Sequence, residues 1–198
     1  MKAWQDPVLD VKSELYRRGV TLAQRFLQAN DLPEPDYVNT TILDSTGLYD
    51  PHMGPWGRVY VNVRACAKPV MKPHHMCWSW PGYKTDRTPV GVVAHETGHH
   101  VEFILGARRK QFKLSWWREI LVRAKKERIT SYEPNSAEAF AETMRVFILN
   151  PRLLEGHAPN RYRFLTETLR LRPSETRSAI MVVGNPYYNA AIKRLIKA

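Results

Sequence analysis

Residues 90–103 read VGVVAHETGHHVEF, and within them His95-Glu96-x-x-His99 sets two histidines four positions apart around a glutamate. No other feature constrains the fold as tightly. On a helix, positions four apart share a face, so both imidazoles can meet one ion. Glu96 then lies one step round the same helix, within reach of a water held by that ion. H-E-x-x-H is the zinc-hydrolase signature, so Zn2+ is the expected cofactor and hydrolysis the expected chemistry.

The rest of the chain frames this helix. Thr88-Pro89 gives it an N-cap followed by proline at the first helical position, and Gly106 is its expected stop. Asp6-Pro7 opens an earlier helix in the same way, with Leu15, Leu22 and Phe26 at helical spacing and an end before Asn30. Tyr37–Leu43 and Arg58–Ala65 alternate β-branched and aromatic residues, which predicts two strands. Between them, Asp44–Gly57 holds Gly47, Pro51, Gly54 and Pro55 and reads as a loop. Residues 67–87 read as a second long loop with Trp78 and Trp80. Basic amphipathic spacing predicts a helix over Lys113–Arg128, with Leu114, Trp117 and Leu121 inward and Trp116 a further candidate for the core. Ser136–Leu149 is a further helix stopped by Asn150-Pro151, and Tyr162–Leu171 and Asn189–Ile196 are short ones.

At 198 residues the chain is expected to form one domain spanning 1–198, large enough to bury a core without staples. Its longest apolar runs, such as Val90–Ala94, are far too short to cross a bilayer. MKAWQDPVLD has no apolar core of the secretory kind, and two cysteines make no disulfide framework, so the expected compartment is cytoplasmic. Cys66, His74, His75 and Cys77 match no structural zinc pattern and read as reduced cysteines and exposed histidines. The net charge of +11 is one-sided: residues 106–198 carry 19 Lys/Arg against 8 Asp/Glu, whereas 1–105 balance at 11 each. That excess draws acidic partners, whether protein, nucleic acid or membrane surface, without choosing among them. The run Arg108–Arg128, with nine Lys/Arg and two Glu, reads as a solvated face.

Two histidines make an incomplete site, because a catalytic zinc takes three protein ligands and keeps one position for water. Ser131–Leu149, SYEPNSAEAFAETMRVFIL, supplies Glu138 and Glu142, four apart on one face and flanked by Ala137, Ala139 and Ala141. With Asn135 as N-cap, Glu138 falls at N3, where closing a capping box is its competing role.

HETGHH with SAEAFAETMR resembles the gluzincin class of zinc peptidases, in which a glutamate on a second helix completes the site. The resemblance covers roughly residues 88–151. It looks most like the catalytic domain of anthrax lethal factor and its relatives, where a tyrosine precedes the helix bearing the ligand glutamate. Phe140-Ala141 and Leu149-Asn150-Pro151 are also similar to ImmA/IrrE-type bacterial and phage peptidases, although their E-A-N asparagine is missing. The resemblance implies an α+β, zincin-like fold: a small, mainly antiparallel sheet packed on the H-E-x-x-H helix, with helices following. It implies His95, His99 and Glu138 as ligands, Glu142 as the acid behind them, and Tyr132 as the tyrosine that assists the transition state. The chain is one residue shorter than that pattern between Tyr132 and Glu138.

Those residues would hydrolyse a peptide bond in a peptide or protein substrate. Glu96 serves as general base, and Tyr132 or His100 steadies the developing oxyanion. Glu142 bonds a free imidazole nitrogen or is a surface acid, and Tyr132 equally serves packing. Arg58–Ala65 is the expected substrate-side edge, since extended peptides add to sheets. Glu102 reads as a solvated charge. Two rival functions remain: a catalytically silent, zinc-containing binding or regulatory protein, and a nucleic-acid-associated protein using the basic C-terminal half.

Overall fold

The computed structural model describes residues 7–66, 85–130 and 132–174. The first helix, α1 (Pro7–Ala29), buries Leu15, Leu22, Ala23, Phe26 and Leu27 on one stripe. Asn30 ends it by returning its side-chain amide to the Phe26 carbonyl at 2.9 Å. Three short strands follow: β1 (Asp36–Asn39), β2 (Gly47–Asp50) and β3 (Arg58–Val61).

The sheet has the order β1-β3-β2. β3 runs parallel to β1, with Tyr37 opposite Val59, and antiparallel to β2, with Leu48 opposite Tyr60. Alternation sends Val59 and Val61 inward, where they pack with Val63, Cys66, Ala23, Val92 and Val93. The expected α+β architecture is therefore present, a small sheet on the motif helix with helices after it.

The motif helix α2 (Pro89–Phe103) sits at the centre of the molecule. Thr88 caps it by accepting from the Gly91 amide at 3.3 Å, and Pro89 occupies its first turn. Its exposed surface is so small that every residue from Pro89 to Gly98 is buried, as expected of a helix that is apolar on most sides. Gly106 does not stop it: a π-helical turn, Ile104–Arg108, carries the chain on, and the Arg109 amide reaches Ile104 at 2.8 Å.

α3 (Leu114–Arg123) is shorter than the predicted basic helix. The chain turns at Ala124 into a 3-10 turn, Lys125–Glu127, because Glu127 is drawn inward to receive the backbone amides of Asn160 and Arg161. Trp117 is fully buried and its indole donates to the Ser136 carbonyl at 2.9 Å, whereas Trp116 is exposed. All nine Lys/Arg of Arg108–Arg128 are exposed, as a solvated face requires. α4 (Ser136–Leu149) begins at an Asn135 cap and ends at Asn150, which in turn caps α5 (Pro151–His157). α6 (Pro159–Arg163) passes into a π-helical turn, Phe164–Thr168, so this region starts earlier than predicted and is broken at Ala158. His74, His75, Cys77, Trp78, Trp80 and the helix expected at Asn189–Ile196 lie outside the described residues. Cys66 is buried and free, and burial pushes its thiol up to about 12, which suits a packing role.

The main core joins α1, α2 and α4 through Phe26, Val90, Ala94, Val101, Phe140, Met144 and Phe147. α2 and α4 come closest at Gly98. A Cβ placed there would lie 2.8 Å from the Ala141 Cα and 3.0 Å from its carbonyl oxygen. Gly98→Ala should therefore force the helices apart and cost about 1–3 kcal/mol of stability, measured by denaturant unfolding. A change below a few tenths would mean that the helices yield freely.

Candidate metal centre

α2 and α4 cross so that the motif histidines face the first turn of α4. His95 Nε2 lies 3.1 Å from one Glu138 carboxylate oxygen and His99 Nε2 3.6 Å from the other. One donor atom from each of His95, His99 and Glu138 can be chosen so that all lie within 4.8 Å of one another. Asn135 does cap α4, accepting from the Glu138 amide at 2.9 Å, but the Glu138 carboxylate turns to the histidines. Cap and ligand geometry thus coexist at one residue, using its backbone and its side chain.

Glu142, one turn further on, is fully buried behind His95. Its Oε1 accepts from His95 Nδ1 at 2.8 Å and from the Thr85 hydroxyl at 2.9 Å. Oε2 accepts from the Thr130 hydroxyl at 2.7 Å, and Arg145 grips both oxygens at 3.0 and 2.9 Å. Nothing remains for a surface role. Burial alone would raise this carboxyl, but Arg145 and His95 outweigh it and hold it far below the usual carboxylate range. By accepting the Nδ1–H hydrogen bond, Glu142 orients the His95 ring and turns Nε2 toward Glu138, where its lone pair could serve a metal.

Glu96 lines a cavity of about 580 Å³ together with His95, His99, Glu138 and Tyr132. Its proton affinity is raised, chiefly by burial, with the neighbouring histidines opposing. β2 packs directly on it: a Cβ at Gly47 would come within 2.6 Å of Glu96 Oε1. Only glycine lets the strand approach so closely. Gly47, Leu48 and Tyr49 also line the cavity. The substrate-side edge therefore differs from expectation: β3 is paired on both sides and has no free edge, and β2 is the edge strand beside the site.

Tyr132 borders the cavity at 41% exposure, its ring 5.8 Å from that of His95. His100 does not line it. His100 Nε2 is 2.7 Å from the Pro33 carbonyl, Nδ1 is 3.2 Å from the Tyr49 hydroxyl, and burial holds the ring down at about 4. A neutral imidazole tied to a backbone carbonyl is a structural group, so the alternative oxyanion donor falls away. Glu102 is not a freely solvated charge: its side chain is 19% exposed in the cavity wall, 4.0 Å from His99 Nδ1. Arg145 holds Glu142 from one turn further along α4, whereas Thr85 and Thr130 carry no sequence signal of their own and are brought to it only by the tertiary fold.

The site favours a cation. Burial pulls the His95 imidazolium down, yet Glu138 and Glu142 push it up to about 10. A proton and a divalent ion therefore compete for the same place. With chelator present, the raised His95 contributes stability below pH 6.5 that is lost as pH rises toward about 10. With zinc, binding strengthens as His95 sheds its proton, so the slope in that window should reverse. Melting temperatures across the window, with zinc and with chelator, check this; parallel curves would refute it.

No family model, curated protein or solved structure matches this chain. The geometry agrees with the gluzincin class in general, two histidines of one helix and a glutamate of the next, in a small sheet-and-helix fold. Nothing ties it to lethal factor or to ImmA/IrrE-type peptidases in particular.

Proposed function

We propose that this protein is a zinc-dependent peptidase of the gluzincin type. One observation carries the reading: the His95, His99 and Glu138 donors converge at the wall of the cavity that also holds Glu96. Two imidazoles and one carboxylate are a donor set suited to catalytic zinc, and Glu142 behind His95 orients that ligand. When bound, zinc would polarise the scissile carbonyl and acidify a water. Glu96, its proton affinity raised by burial, takes the proton of the attacking water and passes it to the leaving amine. The Tyr132 hydroxyl, which has no hydrogen-bond partner among the described residues, donates to the developing oxyanion. An extended peptide adds to the outer edge of β2, which pairs with no further strand among the described residues, and this brings its backbone along the cavity.

Among the described residues no helix is long and apolar enough to cross a membrane. We place the protein in the cytoplasm on its sparse cysteine usage, as a single domain. The decisive experiment pairs metal analysis with hydrolysis of a mixed peptide library. One zinc per chain is expected, lost in His99→Ala and in Glu138→Ala, together with cleavage that chelator abolishes. Full zinc retention by Glu138→Ala would remove the third ligand. Zinc without cleavage would favour the silent regulatory protein, and steep salt-dependent binding to DNA or RNA would favour a nucleic-acid role.

A further inference from the structure

The cavity extends past the metal ligands toward the C-terminal end of α2. Glu102, Phe103, Gly106, Ala107, Phe112 and Leu114 line this arm. Glu102 and Phe103 of α2 and Gly106 and Ala107 of the π-helical turn stand three to eight positions beyond His99, roughly 5–12 Å along a helix axis. The π-helical turn at Ile104–Arg108 places the two small residues, Gly106 and Ala107, at its wall. The arm is therefore mostly apolar, with one acid near its mouth.

That acid has no assigned partner. Among the described residues no lysine or arginine lines the cavity. Its other two carboxylates are occupied by the proposed reaction, Glu138 on the histidines and Glu96 as base. Glu102 has only His99 Nδ1 at 4.0 Å, which is too long for a hydrogen bond. The nearby Arg108 instead lies over the Phe103 ring, 5.6 Å from its centroid, and makes no ion pair with Glu102.

We propose that this arm is a side-chain subsite selecting lysine or arginine beside the scissile bond. Glu102 receives the cationic tip, while Phe103, Phe112 and Leu114 pack the aliphatic stem. The inference rests on the peptidase reading. A neutral side chain would cover Glu102 without pairing it, and an acidic one would enter a cavity that already holds three carboxylates. The preference opposes the long-range field, since a net charge of +11 repels basic peptides, so it has to arise within the cavity.

The test uses internally quenched decapeptides that differ only in carrying Lys, norleucine or Glu at the positions flanking the scissile bond. Wild type should favour Lys over norleucine by about tenfold or more in kcat/KM, with Glu the poorest. In Glu102→Gln the Lys-to-norleucine ratio should fall toward one, and Glu102→Ser provides the same readout if glutamine disturbs the helix. Equilibrium binding of the same peptides to Glu96→Gln, with and without the Glu102 change, needs no turnover. If no peptide is cleaved but this binding ratio depends on Glu102, the peptidase reading fails and the subsite stands. A ratio of one in wild type would overturn the subsite. So would a ratio unchanged by Glu102→Gln, or zinc loss as that variant's sole defect, which would make Glu102 a support for His99.

Discussion

Glu96→Gln is expected to keep zinc and to lose peptide hydrolysis by about 10²–10⁴-fold, the usual contribution of a positioned general base. Glutamine preserves the shape that β2 presses against at Gly47, and its carbonyl can still accept from the Tyr49 backbone amide. What it loses is the capacity to take and return a proton. Glu96 is absent from the converging ligand set, so metal content should stay at the wild-type level. Metal analysis and kcat/KM on one preparation separate the two effects. Retained turnover would remove Glu96 from the chemistry, and lost zinc would show that it supports the ligands.

Glu142→Ala should be the most damaging single change to the fold near the site. It removes the acceptor for His95, Thr85, Thr130 and Arg145 together. Arg145 is 1% exposed, and losing its bidentate carboxylate in the interior should cost about 3–5 kcal/mol. Asp86 is one acid nearby that feels Arg145: burial pushes its carboxyl up to about 6 while Arg145 draws it down. Urea unfolding in chelator measures the loss to the protein alone. Zinc affinity, measured by competition, should fall about 10–100-fold as His95 loses its anchor. A stable variant with normal zinc affinity would show that Arg145 and His95 are held by other groups.

The parts of the fold legible in the sequence are those whose signals are local. α1 and α4 announce themselves through apolar spacing and through caps at Asn135 and Asn150, and α2 through Thr88-Pro89. β2 was hidden because four residues, Gly47-Leu48-Tyr49-Asp50, sit in a stretch rich in glycine and proline. Only pairing with β3 makes them a strand. The early end of α3 was equally hidden, since Glu127 is claimed by Asn160 and Arg161, 33 and 34 positions away.

The site divides in the same way. His95, Glu96 and His99 are readable because one helix carries them, and Glu138 because a two-histidine site demands a third donor. Glu142 could not be told from a surface acid, because an i,i+3 pair with Arg145 is equally at home on a solvated face, and its burial depends on His95, Thr85 and Thr130 converging from other segments. Glu102 read as solvated for want of any sign that the π-helical turn after it walls a cavity.

The contact between Gly98 and Ala141 would bear on which ions the three donors could hold. The helix that supplies both histidines and the helix that supplies Glu138 meet there with Gly98 set against the Ala141 backbone and the Met144 Cβ, leaving no space for a side chain at position 98. The spacing of the three donors is then set by main-chain contact, in the manner of a fixed gauge. Calcium prefers six to eight oxygen ligands, whereas two of the three converging donors are imidazole nitrogens. The room left for an ion among these donors would thus be set partly by how two helices pack, at the residue beside His99 and one turn past Glu138.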